Sequence, residues 1–465
     1  MRGCRFRSVY TLTAGDAEVL ARRAAASLMR LGLGVGDRVA IILPQPGDHL
    51  DERARLEAAL VQRDVLAFVY GALRRGVVPV MVNPALTTAE RDVLIGDALP
   101  ALVVDEADML QRMLSGEDGE VDLADVPLAR PMHFTSGTTG RSKGVWTGIL
   151  DESDARLMWL DEIKAWELTH DDVLLTHGPL AHSAPLRFGI ATLMMGGSVI
   201  LPGWFEAGAF ARALVDLQPT VAFAVPSHLQ RLFALPEGAP KSPYRMIVHA
   251  GAACPAPLKR RIHDWAGVDR TMEFYGATEG QFSVCSGTEW EARPGTVGRA
   301  RAGRTLRVDQ GVIWCAPPTW ASFEYWNDPK KTRDAWRIAP GGRREFSVGD
   351  LGRIDDEGYL YLDGRRDDLI ITGGVNVYPD DVEGALLACP GVDQVAVFGI
   401  EDEQWGHKVC AAFVGSTSEA DLRAWAATRL AGYKRPKSYH PVDDLPRTES
   451  GKVRRLALPA MLRLE

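Results

Sequence analysis

A glycine- and hydroxyl-rich stretch, HFTSGTTGRSKGV at residues 133–145, carries the strongest chemical signal in the chain. Small residues such as Gly137 and Gly140 let backbone N–H groups approach an anion closely. The stretch adds a fixed positive charge at Lys143 and four hydroxyl donors, those of Thr135, Ser136, Thr138 and Thr139. A lone GTTG would indicate a surface turn, but the whole string favours a loop that holds a triphosphate. Its spacing differs from GxxxxGK[ST], so it is not a Walker A loop.

Three further strings follow this loop: EFYGATEG at 273–280, SVGDLGRIDDEGYLYLDGRRDDLIITGGVNVYP at 347–379 and LPRTESGKVRR at 445–455. With the loop, and with LGLGVGDRVAIILP near the start, they resemble the adenylate-forming superfamily of acyl-CoA synthetases, carrier-protein adenylation domains and luciferases. The resemblance covers nearly the whole chain, and strings of this length in this order are highly specific. It implies an enzyme most like an acyl-CoA or aryl-CoA ligase.

The resemblance implies a catalytic centre around the phosphates of ATP. It assigns the β- and γ-phosphates to the loop, the α-phosphate to Thr278, and Mg²⁺ to Glu279. Lys452 of ESGKVRR would reach both the reacting carboxylate and the α-phosphate. A carboxylate that attacks the α-phosphate brings two anions together, so the site must supply positive charge where charge develops. Mg²⁺, Lys143 and Lys452 would supply that charge.

The same resemblance implies contacts to the adenosine part of ATP. Tyr275 would lie against the adenine, and Asp350 would accept hydrogen bonds from the ribose hydroxyls. Taken alone, Asp350 would be read as a turn residue and Glu279 as a helix N-terminal acid. The other implied nucleotide contacts are Gly251, Ala252, Glu273, Gly276 and Arg365.

Coenzyme A is the acceptor that the resemblance implies for the acyl group. Gly373 and Gly374 match a segment that lines the pantetheine tunnel, where absent side chains leave room for a narrow arm. Asp367 falls at the hinge about which such enzymes rotate their small domain. A local excess of positive charge in residues 423–465 includes Lys434, Arg435 and Lys437. Taken alone it indicates either a solvated helix face or a surface that binds a phosphate-rich ligand, and the resemblance makes the CoA phosphates the candidate ligand.

The acid pocket is defined least well by the sequence. The resemblance places His182 as a gate near the carboxylate, and a core histidine is the alternative. The apolar residues of the implied pocket favour an aryl or medium-length acyl group. The sequence shows no Asp or Glu at the position that would bind a substrate's α-amino group, so an amino acid is disfavoured as the substrate. Arg187 would either pair with a second substrate carboxylate or be exposed. The remaining implied pocket residues are Ser183, Leu186, Phe223, Gly251, Gly276 and Phe282.

Helices and short buried strands must position these residues. Leu20, Ala24, Leu28 and Leu31 share one helical face, and apolar runs at 38–44, 77–82, 101–104, 198–201, 220–225 and 245–251 predict strands of a largely parallel sheet. Residues 294–365 read as turns and short strands, with a hairpin turn at 356–358. The predicted fold is α/β: a large domain of βα-layered sheets with a small β-rich subdomain at 1–366, then a mobile α+β domain at 367–465.

Composition excludes several classes of protein. The 465 residues are 46% hydrophobic and 25% charged, which is ordinary globular usage. The net charge of −8 argues against a dedicated nucleic-acid binder. We expect no membrane span, because no apolar run reaches about 18 residues, and the start lacks the pattern of a secretory signal. Six scattered cysteines give neither a zinc cluster nor a disulfide framework. A cytoplasmic location is therefore expected.

Three functions remain in competition. The first is a carboxylate–CoA ligase that uses ATP and Mg²⁺ and works through an acyl-adenylate. The second adenylates the acid but transfers it to a carrier-protein pantetheine or another nucleophile. The third is a non-catalytic nucleotide-binding homologue, which the presence of Lys452, Glu279 and Asp350 together disfavours. The sequence leaves open the acid itself, a homodimer, and the role of the polar segment 45–64.

Overall fold

A computed structural model describes residues 9–42, 51–117, 121–135, 143–251, 254, 256–364, 370–446, 453 and 455–464. The amino-terminal part alternates strands and helices: β1 (Tyr10–Thr13), α1 (Ala14–Arg30), β2 (Arg38–Ile42), α2 (Glu52–Arg74), β3 (Val78–Val82), α3 (Thr88–Ala98), β4 (Leu102–Val104), α4 (Ala107–Leu114), β5 (Met132–Thr135) and β6 (Lys143–Trp146). β2 to β5 are mutually parallel, in the order β5-β3-β2-β4, and β6 is antiparallel to β5.

A second sheet follows in the chain. Its elements are α5 (Glu152–Ala165), β7 (Val173–Thr176), α6 (Ser183–Met194), β8 (Ser198–Leu201), α7 (Ala207–Leu217), β9 (Val221–Ala224), α8 (Pro226–Phe233), β10 (Met246–His249), α9 (Ala256–Ala266), β11 (Thr271–Gly276), β12 (Gln281–Ser286), α10 (Gly287–Ala292) and β13 (Arg299–Ala300). The strand order is β1-β8-β7-β9-β10-β11-β12-β13. The five strands from β7 to β11 pair with one another in parallel.

A smaller antiparallel sheet comes next. It contains β14 (Thr305–Asp309), β15 (Val312–Ala316), β17 (Trp336–Ile338), β18 (Arg344–Phe346), β19 (Leu351–Ile354) and β20 (Leu360–Gly364). Two further elements interrupt it, β16 (Glu324–Tyr325) and α11 (Pro329–Ala335). β16 is not part of this smaller sheet and pairs with β6 at the edge of the first sheet. This pairing joins the β-rich subdomain to the amino-terminal sheet.

The carboxyl-terminal residues form an α+β unit. Its elements are β21 (Ile370–Thr372), β22 (Val375–Val377), α12 (Pro379–Leu387), β23 (Val392–Asp402), β24 (Gly406–Gly415), α13 (Glu419–Arg429), β25 (Ser438–Pro441) and α14 (Leu458–Met461). Two apolar clusters draw on residues 370–464 alone. The predicted boundary at residue 367 lies outside the described residues, so it stays a prediction.

The sequence predicts most of this architecture. The α/β class, the six apolar strands and the hairpin at 356–358 are confirmed, and in the hairpin the Asp355 N–H donates to the Tyr359 carbonyl. Leu31 was predicted to share a helical face with Leu20, Ala24 and Leu28, which was wrong because α1 ends at Arg30 and Leu31 is 54% exposed. The polar segment 45–64 contains the start of α2, which Asp51 caps by accepting from the Ala54 N–H. No described helix is long and apolar enough to cross a membrane.

Candidate functional site

Two strands of the parallel sheets, β5 and β11, lead into the predicted phosphate-binding strings in the chain. In open α/β sheets ligands bind at the carboxyl ends of such strands. Thr135 ends β5 and Lys143 begins β6, and the two residues face each other across the hairpin. In the second sheet, the turn 277–280 follows β11 and carries Thr278 and Glu279. Reciprocal backbone hydrogen bonds between Ala277 and Gly280 make this turn tight. The fold therefore brings two of the sequence strings to a common edge.

Lys143 and Glu279 meet at Tyr325 of β16. The Tyr325 hydroxyl donates to Oε1 of Glu279 at 2.8 Å, and Nζ of Lys143 lies 5.0 Å from the centre of the Tyr325 ring. Burial, followed by the nearby Lys331, lowers the pKa of Lys143 to about 7. Burial also raises the pKa of Glu279. Both shifts disfavour the charged forms of these side chains, and bound phosphates and a cation would favour the charged forms.

Tyr275 and Asp350 form a second contact at the same edge. The Tyr275 hydroxyl donates to Oδ2 of Asp350 at 2.5 Å, and both side chains are buried. Gly276 is required beside them, because a Cβ there would lie 2.8 Å from the Gly280 carbonyl oxygen. The structure thus joins the residues predicted for the adenine and the ribose, although they stand 75 positions apart.

Glu273 lies deeper in β11 than the other predicted nucleotide contacts. Its carboxylate accepts a hydrogen bond from Lys259 of α9, and Nδ1 of His249 lies 3.7 Å away. Burial raises the pKa of Glu273. The structure does not bring this carboxylate to the Tyr275–Asp350 contact, and its partners are those of a buried ion pair.

The predicted acid pocket is only partly assembled. His182 is exposed and precedes α6 as its N-cap, and Ser183 begins that helix. Leu186 and Phe223 are buried in one apolar cluster, in which the Phe223 ring stacks on Phe188 with centroids 5.2 Å apart. Phe282 is fully buried in a different cluster, 5.0 Å from the Tyr275 ring. The structure therefore groups Phe282 with the nucleotide side and not with Phe223.

Arg187 is not exposed, so that alternative was wrong, and its pairing with a second substrate carboxylate stays a prediction. The guanidinium is buried, and its Nη1 donates to Oε1 of Glu162 at 2.7 Å. Although burial raises the pKa of Glu162, Arg187, Arg301 and Arg130 hold it well below its ordinary value. Arg187 is therefore committed to an internal partner, which a pattern of adjacent residues could not indicate.

We expect Glu162→Gln to lower the free energy of unfolding by about 3–5 kcal/mol, because it leaves several buried guanidiniums without their shared anion. Urea denaturation would measure the loss. Glu152→Gln, on the exposed first turn of the same helix, is the control and should change stability by less than about 0.5 kcal/mol. Equal stability of the two variants would contradict the assigned role of Glu162.

One glycine of the pair in the carboxyl-terminal unit, Gly374, lies against Ser227 of the large domain. Gly373 and Gly374 form the turn between β21 and β22, with φ of +56° and +79°. A Cβ on Gly374 would lie 3.2 Å from the Ser227 hydroxyl oxygen, and one on Gly373 would lie 3.1 Å from the Trp405 ring. Of the two residues predicted to line the pantetheine tunnel, Gly374 is thus next to α8, and Gly373 packs within its own unit.

The structure corrects the interpretation of Lys434 as a free phosphate-binding residue. Its Nζ lies 3.2 Å from Oε1 of Glu90, which belongs to α3, and 3.6 Å from Oδ2 of Asp381. Glu90 also accepts from the Ala431 N–H at 3.1 Å. We call this contact the Glu90–Lys434 clasp. It joins the carboxyl-terminal unit to the large domain, so Lys434 serves domain contact in this arrangement.

The neighbours of Lys434 are engaged as well. Arg435 donates to the carbonyls of Leu430 and Ala427 at 2.7 and 2.8 Å. Nζ of Lys437 lies 5.4 Å from the centre of the Trp405 ring. The other predicted site residues lie outside the described residues and their roles stay predictions: Ser136, Gly137, Thr138, Thr139, Gly140, Ala252, Arg365, Asp367 and Lys452.

Comparison with known proteins gives matches over nearly all of the chain. A family model for AMP-binding enzymes matches residues 62–311, and a model for their C-terminal domain matches residues 381–452. A feruloyl-CoA synthase of an Amycolatopsis species is 30% identical over 93% of this chain and 90% of its own. A long-chain-fatty-acid–CoA ligase of Mycobacterium tuberculosis is 29% identical over 96% of this chain and 92% of its own.

Two solved structures show the same fold. The o-succinylbenzoate CoA synthetase of Bacillus subtilis, bound to the product analogue OSB-NCoA, has a TM-score of 0.81 and 25% identity over 96% of this chain and 92% of its own. ATP-bound MatB of Rhodopseudomonas palustris has a TM-score of 0.63 and 29% identity over 97% of this chain and 93% of its own.

Proposed function

We propose that this chain, which belongs to the AMP-binding enzyme family, is an ATP-dependent ligase that activates a carboxylic acid and passes the acyl group to CoA. The membership predicted from the sequence strings is confirmed. The observation that carries the proposal is the convergence of Lys143, Glu279, Tyr275 and Asp350 at one edge of the two sheets. Relatives that match nearly the whole chain are named as CoA ligases.

The proposed reaction has two steps. A carboxylate oxygen attacks the α-phosphorus of ATP, the bond to the β-phosphate oxygen breaks, and pyrophosphate leaves. The thiolate of CoA then attacks the acyl carbon, and AMP leaves with that carboxylate oxygen. The protein's part is to position the groups and to place charge where it develops. Lys143 from the hairpin and Lys452 from the carboxyl-terminal unit are the cations proposed for the first step.

Magnesium is part of the proposal because Glu279 offers a carboxylate beside the proposed phosphate site, and Mg²⁺ is usually held by one or two carboxylates together with substrate phosphates. A bound magnesium ion would neutralise charge on the pyrophosphate as it leaves. The raised pKa of Glu279 fits a carboxylate that a cation normally accompanies.

We expect Glu279→Gln to raise the Mg²⁺ concentration for half-maximal adenylation at least about tenfold, since it removes one charged ligand oxygen. Titration of the adenylation rate with Mg²⁺, and of Mn²⁺ binding by electron paramagnetic resonance, would measure the change. Tyr325→Phe removes only the hydrogen bond to Glu279 and is the control, with a change below about threefold. An unchanged metal requirement in Glu279→Gln would contradict the assignment.

The proposed acid is an aryl or medium-length acyl acid. The Phe188–Phe223 stack and Leu186 fill the interior beside α6 with apolar side chains, and such a wall fits a flat or short apolar group. A cytoplasmic location, where ATP and CoA are supplied, belongs to the same proposal. A carrier-protein acceptor and a homodimer stay predictions.

Pyrophosphate release tests the proposed function. The protein is mixed with ATP and Mg²⁺ and with aryl, medium-chain, long-chain and dicarboxylic acids, each with and without CoA. Release that requires an aryl or medium-chain acid and turns over only with CoA is the expected result. Pyrophosphate release that does not depend on CoA would indicate that another molecule accepts the acyl group. The absence of pyrophosphate release with every acid of the panel would contradict the proposal.

We further infer that the Glu90–Lys434 clasp belongs to the domain arrangement for thioester formation. The TM-score to the relative that holds a CoA product analogue exceeds the score to the ATP-bound relative, and Gly374 lies against Ser227 in this arrangement. Lys434→Met should therefore slow transfer from acyl-AMP to CoA about tenfold and leave adenylation within about twofold, because it breaks a largely buried ion pair.

Separate rates for the two half-reactions would measure this effect, and Lys164→Met, at an exposed lysine of α5, is the control. Glu90→Gln should give the same loss, and the double variant should lose no more than either single one. Slowed adenylation with normal transfer would place the clasp in the other arrangement.

A further inference from the structure

A second lysine, Lys331, lies beside Lys143. It belongs to the first turn of α11, and its side chain makes a hydrogen-bonding contact with that of Lys143. Burial, and then Lys331 through this contact and through its charge, lower the pKa of Lys143 to about 7. Both residues are half-buried. An ammonium group has three donors and no acceptor, so two lysine side chains placed together in this way indicate a site for an anion.

Hydrogen bonds of the backbone hold Lys331 in this position. β16 pairs with β6, and the Trp326 N–H, directly after β16, donates to the Gly144 carbonyl at 2.8 Å. The Tyr325 N–H donates to Oγ1 of Thr332 at 2.9 Å, which holds the first turn of α11 against β16. The backbone that carries Lys331 is therefore tied to the strand that begins with the other lysine.

Two acids, Glu279 and Asp328, place negative charge near Lys143, and each has a further partner. Oδ1 of Asp328 caps α11 by accepting from the Lys331 N–H at 2.9 Å. Oε1 of Glu279 accepts from the Tyr325 hydroxyl at 2.8 Å, and Glu279 is the carboxylate proposed for Mg²⁺. With a metal ion on Glu279, a bound anion would have to balance the charge of the two lysines.

We propose that Lys331 binds the β- and γ-phosphates of ATP together with Lys143, as a second cation for the pyrophosphate that leaves. The string that contains Lys143 is the one assigned to these phosphates, so this role of Lys331 rests on the proposed function. Phosphate oxygens are charged acceptors, and several of them can accept from both ammonium groups at once. When the bond between the α-phosphorus and the bridging oxygen breaks, its electron pair stays on that oxygen, and the two lysines would stabilise this charge.

The test compares two adjacent lysines of α11. Lys331→Met removes the proposed phosphate contact, and Lys331→Arg keeps a positive charge at the same position. Lys330→Met changes the exposed neighbour and is the matched control. Calorimetry in the presence of Mg²⁺ measures the binding of two nucleotides to each protein. One is α,β-methylene-ATP, which carries a triphosphate and is not cleaved between its α- and β-phosphates, and the other is AMP, which lacks the β- and γ-phosphates.

We expect Lys331→Met to bind α,β-methylene-ATP about 10- to 100-fold more weakly than the wild type, the effect of losing a charge-assisted hydrogen bond, and to bind AMP within about twofold. Lys331→Arg should bind the analogue within about fivefold because the charge remains, and Lys330→Met should bind both nucleotides as the wild type does. Unchanged binding of the analogue by Lys331→Met, or an equal loss of AMP binding, would overturn the role of Lys331 alone. A wild type that binds neither nucleotide would contradict the proposed function and this role with it.

Discussion

Lys452→Ala is expected to lower the rate of acyl-adenylate formation by about 10²–10³-fold, the effect of removing one preorganised charge from a reacting centre. The resemblance places this lysine at the reacting carboxylate and the α-phosphate. Lys143 is the other proposed cation, and its pKa of about 7 makes its own charge incomplete before the phosphates bind. Release of pyrophosphate without CoA would measure the loss.

We expect Lys452 to act only in the first step, the formation of the acyl-adenylate. When synthetic acyl-AMP is supplied, Lys452→Ala should form the thioester within about threefold of the wild-type rate, because the charge is needed only while two anions approach. Lys437→Ala is the matched control from the same unit and should adenylate normally. Adenylation by Lys452→Ala at a near wild-type rate would refute the assigned role.

Gly374→Trp is expected to abolish thioester formation and to leave adenylation within a few-fold. A Cβ at this position already lies 3.2 Å from the Ser227 hydroxyl oxygen, so an indole would fill the space through which a pantetheine arm would have to pass. Transfer from acyl-AMP to CoA measures the first effect, and pyrophosphate release without CoA measures the second.

Gly374→Ala is the control for backbone strain. The residue has φ of +79°, so both substitutions carry the strain of a left-handed conformation, and only tryptophan adds bulk. Thioester formation should therefore survive in Gly374→Ala. If Gly374→Trp forms thioester as fast as Gly374→Ala, the tunnel does not pass this turn.

The sequence predicts those elements of the fold whose position depends mainly on the burial of their own apolar residues. Parallel strands covered on both faces must be short and apolar, and this is why the runs such as 198–201 and 220–225 could be placed from composition alone. Leu31 shows the limit of this reasoning: its helical spacing is correct, but the helix stops one residue earlier and turns that side chain to solvent.

The site is harder to predict because its contacts join distant positions. Tyr325 contacts Glu279 because β16, which lies in the chain between strands of the smaller sheet, pairs with β6 of the first sheet. No local sequence pattern predicts that pairing. Lys434 donates a hydrogen bond to Glu90, which lies 344 positions earlier in the sequence. Positive charge at 423–465 could be counted from the sequence, but whether a given lysine faces a ligand or another domain depends on packing.

The path of the carboxylate oxygen distinguishes an acyl-adenylate from other intermediates. An acid that supports pyrophosphate release is labelled with ¹⁸O in both carboxylate oxygens and is turned over with ATP and CoA. We expect AMP to carry one ¹⁸O and the thioester to retain the other, because the carboxylate attacks the α-phosphorus and AMP leaves with the bridging oxygen. Label in orthophosphate with formation of ADP, or AMP without label, would contradict an acyl-adenylate intermediate.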